Sequence, residues 1–349
     1  MAVSSTIIEG NYLKDILDQP KVLEATLNRL EVTPELDGLI KRLVQGEFKR
    51  VILTGMGASF LALYPLNIQL VGRGLTCFML ETSELLYYQS EFLRADTLLV
   101  VNSQSGSSAE IVHLLDLNNG KAPVIGVCNT AGSPLASRSN AILLTRAGSE
   151  FSTSCKTYVT GLLALAWLGG LILGQNPEQI KRKLDLAAPA VYAYLLNWKE
   201  YVLALCQQLE GVRNLYFTGR GASLAAACTA GLVMKEAAHF QTEGMGCAAF
   251  RHGPLEMLLP ETYVVVYAGD PKTAAANSRL VEEIIGFGSQ ARLVKSDPDS
   301  SVFHLPPIPE EIRPILEILP AQMFSLALAT MAGHEAGLFD RSGKIITTE

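Results

Sequence analysis

Apolar residues fall along the chain in two rhythms. Short β-branched runs recur at about 50–54, 75–80, 97–102, 123–128 and 141–145, and longer stretches with helical spacing separate them. Unbroken apolar runs of this length suit strands buried on both faces, and their alternation with helices predicts a parallel sheet covered on each side. Residues 1–48 read as a helical lead-in and 177–210 as a helical connector. From about 332 onward the apolar rhythm stops, which predicts an extended arm.

The pattern occurs twice. VILTGMGAS (51–59) and LYFTGRGAS (215–223) are offset by 164 residues, and the same offset carries DTLLVVN (96–102) to the neighbourhood of TYVVVYAG (262–269). APVIGVC (122–128) has its counterpart a little further on, in ARLVKS (291–296). Two copies of one unit are expected. The predicted fold class is α/β, with tandem parallel-sheet αβα sandwiches over 49–176 and 211–331, a lead-in over 1–48 and a tail over 332–349.

Composition narrows the classes. The chain has 349 residues, of which 49% are hydrophobic and 18% charged, with a net charge of −6. No basic cluster offsets that acidity, so a nucleic-acid surface is not expected. The strongly apolar, uncharged stretch from Tyr158 to Asn176 is short for a membrane span and carries several glycines; a buried helix is the better reading. The amino terminus lacks a signal-peptide pattern. Cysteines 77, 128, 155, 206, 228 and 247 form no CxxC pair and read as small core residues of a reducing compartment, the cytoplasm. The five histidines show no ligand spacing, so no metal is expected.

Candidate chemistry begins with VNSQSGSSAE (101–110), where a strand runs into four serines and a glycine. In an open parallel sheet, ligands bind at the carboxyl ends of strands, and helix N-termini there present unpaired N–H groups to anions. Gly55-Met56-Gly57-Ala58-Ser59 forms a second such loop. Each hydrogen bond to a charged oxygen contributes about 1.5–3 kcal/mol, so a few serine donors would hold a phosphate monoester without Arg or Lys. The alternative is that the serines merely cap helices, although one per helix would suffice. GMGASF also partly matches a dinucleotide fingerprint, with Glu81 downstream, but the third glycine is missing and no cofactor is expected.

The second copy keeps TGRGAS but has YAGDPKT where the serines should be, leaving it free for another role. Glu236, with Lys235, lies in an apolar helical stretch, and a carboxylate buried there would have the raised pKa of a general base unless paired. His252 precedes Gly253-Pro254, a rigid turn that could present an imidazole for proton movement. Lys344, by position alone, is a solvated terminal charge.

Taken together, the sequence resembles double sugar isomerase (SIS) domain proteins, in layout closest to the isomerase half of glucosamine-6-phosphate synthase, the glutamine–fructose-6-phosphate aminotransferase. The likeness runs from NYLKDILDQPKVLEATL through GMGAS, SQSGSS, GSEFSTSCKTY, MKEAAHFQTEG and FRHGP to GKIITTE. It implies phosphate contacts from Ser59, Ser103, Gln104, Ser105 and Ser108, and a sugar site lined by Gly57, Glu150 and Ser154. It implies Glu236 as the base shuttling a proton between C1 and C2, and His252 as the ring-opening group, contributed by a neighbouring subunit. Lys344 would form a Schiff base with the keto sugar.

The departures are specific. Thr229 and Val233 stand where the family helix carries a further Glu and Lys, Ala249 stands where an acid usually precedes the histidine, and the tail is one residue shorter. No glutaminase domain precedes the unit, so synthase activity is not expected. The expected function is a phosphosugar isomerase-type enzyme acting on a ketose or amino-sugar 6-phosphate, by isomerisation or deamination. The alternatives are a deglycase of a fructosamine 6-phosphate and a non-catalytic phosphosugar sensor. The expected partner is the sugar phosphate, with no nucleic acid or membrane, and the expected assembly is a homodimer with a shared active site.

Overall fold

The computed structural model describes residues 7–341, 343 and 344. The chain divides into two compact units. One comprises residues 21–150, 156–186 and the segment from 342 onward; the other comprises the first 20 residues, 151–155 and 187–341.

The first of these units holds a five-stranded sheet of β1 (Arg50–Gly55), β2 (Cys77–Glu81), β3 (Thr97–Asn102), β4 (Val124–Cys128) and β5 (Ala141–Leu144). Their order is β2-β1-β3-β4-β5, and all pairs are parallel. β3 is buried along its whole length, as its unbroken apolar run predicts. Ile52, Leu99 and Val101 pack with Leu114, Leu115 and Leu135 from the covering helices. Burying each such side chain contributes about 1.5–3 kcal/mol. The long apolar stretch forms the helix Lys156–Ile172, in which every residue but Ala166 is buried.

The other unit repeats the plan. β6 (Asn214–Gly219), β7 (Thr242–Gly246), β8 (Thr262–Tyr267), β9 (Gln290–Ser296) and β10 (His304–Leu305) are parallel, in the order β7-β6-β8-β9-β10. Arg50, Cys77, Thr97, Val124 and Ala141 open the first five strands, and Asn214, Thr242, Thr262, Gln290 and His304 open the second five, 163 to 166 residues later. The repeat inferred from sequence is therefore a repeat of topology. Val264 and Val266 pack on Leu280 and Ile284 of the helix Pro271–Gly286.

The start of the chain belongs with this second sheet. The Ile8 N–H donates to Thr330 Oγ1 at 3.3 Å, and the buried amides of Gln19 and Gln322 bond each other at 2.9 Å. The helical run Glu310–Ala332 is long and apolar enough to cross a membrane, but 89% of its most apolar window is buried inside the protein, as befits a core helix.

Candidate phosphosugar site

A sheet ordered 2-1-3-4-5 reverses direction between β1 and β3, and the crevice outside those strand ends is where such folds bind ligands. Both glycine- and serine-rich loops leave the sheet there. Thr54 of β1 lies opposite Val101 of β3, so the loops emerge side by side. A Cβ at Gly55 would sit 2.6 Å from the Asn102 carbonyl, which only glycine avoids. The Asn102 amide donates to the Ser59 carbonyl at 2.8 Å and ties the two loops together. Gly57 has φ +51°, a left-handed backbone that lets the short helix Gly57–Leu61 start immediately after the strand.

The serine loop is ordered from within. The Ser103 N–H donates to the Val127 carbonyl at 3.0 Å, and the Asn129 N–H donates to the Gln104 carbonyl at 3.0 Å. The Ser103 hydroxyl oxygen accepts from the Gly106 N–H, and the Ser105 oxygen accepts from the Ser107 N–H, each at 3.2 Å. A serine hydroxyl that accepts still has a proton to donate. Ser108 stands at the N-cap of the helix Ala109–Asn118, yet its side chain makes no capping bond. The simple capping explanation therefore does not account for Ser108.

Glu150 is fully buried. Its Oε1 accepts from the Thr157 N–H at 2.9 Å, and its Oε2 accepts from the Thr157 hydroxyl at 2.6 Å and from Lys344 Nζ at 2.6 Å. Lys344 is thus paired, with its side chain only 20% exposed, rather than the solvated terminal charge its position alone suggests. Ser154 is half-buried and belongs to the segment 151–155, which groups with the second sheet.

In the second unit, Glu236 lies on the helix Leu224–Ala238, which is buried as expected; the carboxylate itself is only half-buried, and Lys235 is exposed. The buried carboxyl that sequence reasoning sought is elsewhere. Glu317 is raised by burial to about 7, against a hydrogen bond from the Ser223 hydroxyl at 2.8 Å and the pull of Arg313. Its signal was available: it is the one charged residue in the apolar run 314–332. His252 is exposed in the turn after Cys247–Phe250, with Gly253 at φ +129°.

Burial pushes the Cys77 thiol up to about 12 and raises those of Cys128, Cys206, Cys228 and Cys247, so these make poor nucleophiles. Histidine spacing gave no hint of a metal site, but the fold brings Asp297, Asp299 and His304 donor atoms within 4.8 Å of one another. Lys295 Nζ, 2.7 Å from Asp297, already supplies a cation there.

Residues 47–168 match the SIS domain family. It is similar to the isomerizing glutamine–fructose-6-phosphate aminotransferase of Pyrococcus horikoshii, at 30% identity over 98% of this chain and 59% of that protein. The chain thus spans under two thirds of that relative. Among solved structures, the C-terminal domain of glucosamine-fructose-6-phosphate aminotransferase from Francisella tularensis superposes with a TM-score of 0.81. It shares 21% identity, with 95% of this chain and 98% of that one covered. A glucosamine-6-phosphate deaminase from Thermotoga maritima gives 0.75 at 18% identity, covering 93% and 96%. At these identities the structures establish the fold.

Proposed function

We propose that the chain binds a ketose or amino-sugar 6-phosphate and moves a proton between its first two carbons, giving isomerisation or, on an amino sugar, deamination. The observation that carries this reading is the serine loop at the β1/β3 switch point. There, Ser103 and Ser105 keep hydroxyl protons to donate, and Ser108 makes no capping bond at its helix start. A phosphoryl group, with three terminal oxygens sharing a charge of about −2, is the compact ligand such donors suit. The name of the Pyrococcus relative, an isomerizing aminotransferase of fructose 6-phosphate, supports the same substrate class.

In this reading His252 assists ring opening, Lys344 condenses with the carbonyl carbon, and Glu236 carries the proton between C1 and C2. The exposure of His252 suits a group offered to a second copy of the chain in a homodimer. Ser59 and Gln104 complete the phosphate contacts, with Gly57 and Ser154 beside the sugar. The same chemistry on a fructosamine 6-phosphate would be deglycation.

A sensor without catalysis is favoured by one observation. Thr229 and Val233, which replace charged family residues, are fully buried, so that helix face presents no further acid or base. One experiment separates the readings. Hexose, hexosamine and fructosamine 6-phosphates are screened by thermal shift, and each binder is followed in heavy water for exchange at C1 and C2. An enzyme shows both a stabilised fold and deuterium uptake; a sensor shows the first alone.

A further inference from the structure

The Glu150–Lys344 pair is the most unusual electrostatic feature of the first sheet's unit, joining residues 194 apart in sequence. Its carboxylate is completely enclosed, whereas the lysine retains 20% exposure. The lysine is therefore the member with access to a ligand, and the glutamate is the member locked in place.

The lock is explicit. Thr157, the second residue of the 17-residue helix Lys156–Ile172, donates its N–H to Oε1 and its hydroxyl to Oε2. The positive end of that helix and three donors all stabilise negative charge at this point. With both oxygens engaged by donors, such a carboxylate is well suited to holding a cation. A proton-shuttling role would leave it with fewer competing donors.

We propose that Glu150 is the counter-ion of the iminium formed on Lys344, an assignment that rests on the Schiff-base reading above. The step balances without any added reagent. The ammonium nitrogen gives up a proton, its lone pair attacks the ketose C2, and the carbonyl electron pair moves to oxygen. That oxygen takes up two of the three nitrogen-borne protons and leaves as water. The nitrogen keeps the third proton, a double bond to carbon and the single positive charge. Charge at this nitrogen is thus the same before and after condensation, and Glu150 faces a cation at both ends of the step. Keeping the imine protonated makes it an electron sink, which acidifies the adjacent C–H for Glu236.

The test uses the full chain with fructose 6-phosphate as probe, cyanoborohydride to trap the iminium, and peptide mass spectrometry to quantify the adduct across pH. The wild-type chain should be labelled at Lys344. Without a counter-ion the cation is less stable, so in Glu150→Gln the alkaline limb of the trapping profile should move about one to three pH units lower. The thermal shift given by the probe is measured alongside and reports how much of the variant still holds ligand at each dose. Glu150→Asp should fall between the two, and serves if the glutamine variant folds poorly. Lys344→Arg, which keeps the ion pair, should fold normally and take no label.

An unchanged trapping profile in both Glu150 variants would overturn the counter-ion and leave the proposed function standing. A wild-type chain that binds the probe but is never labelled at Lys344 would overturn the iminium itself. Failure to bind fructose 6-phosphate or any ketose 6-phosphate would instead overturn the reading on which this one rests.

Discussion

The two sheets share one topology and treat the same corner of it in opposite ways. After β1 and β3, serines line a helix start without capping it, and a glycine-bent loop holds them in place. After β6 and β8, the equivalent groups are already committed. Ser223, the counterpart of Ser59, donates to Glu317. Asp270 caps its helix, accepting from the Lys272 N–H at 2.9 Å, and that bond holds its carboxyl below the ordinary range. Arg220 Nε donates to Asn277 Oδ1 at 2.9 Å. A duplicated scaffold thus offers a candidate anion cradle at one corner and fills the other with its own carboxylates.

The comparison can be broken at four places. Glu236→Gln should have the largest effect. If the second unit supplies the general base, C1–C2 deuterium exchange should fall about 10²–10⁴-fold while probe binding persists; full exchange in the variant would sink that role. Next, the double variant Ser105→Ala, Ser108→Ala removes two bonds to a charged ligand. Its Kd for a sugar 6-phosphate, measured calorimetrically, should rise by about 100-fold or more.

Ser223→Ala makes the matching change in the second unit and should leave that Kd alone. It removes the hydroxyl donor to a buried carboxyl and should cost about 1–3 kcal/mol in denaturant unfolding. An altered Kd without lost stability would show the two corners to be functionally alike.

The fourth is a pH dependence. Glu317 is raised in the fold from 4.5 to about 7, so the folded chain binds its proton more tightly than the unfolded chain does. The stability this gives is full below about pH 4.5 and is lost as pH rises through about 7. Glu317→Gln, which mimics the protonated acid, should flatten the melting temperature between those values. A variant whose melting curve still falls over that range would point to another group.

Much of this was legible in the chain. β1, β3 and β4 are dense in Val, Ile and Leu because helices cover both faces, and their positions were readable to within a residue or two. β7 was not. Its sequence, TEGMG, carries two glycines because the helix Leu224–Ala238 lies backbone to backbone against it: a Cβ on Gly244 would meet the Ala227 carbonyl at 2.0 Å. Close approach removes the side chains by which a strand is recognised. β10 has two residues, too few for any period. The serine loop could be found because its hydroxyl groups lie together in one short run of sequence. The Glu150–Lys344 pair and the Ser223–Glu317 bond could not, since each joins distant segments and leaves no spacing to read. The motif resemblance named Lys344 as important without saying what holds it.

The contact between that helix and β7 reaches beyond packing. Gly231 rests against the Gly244 nitrogen with no room for a methyl group, since an added Cβ would lie 2.5 Å away. Glu236 sits five residues further along the same rod, about 7.5 Å by helical rise. The rod is therefore clamped at a fixed mark, and that bare stretch of main chain sets where along it the carboxylate starts. A single methyl at Gly231 would lever the far end outward, and misplacement by about 1 Å is enough to slow a proton transfer about 100-fold.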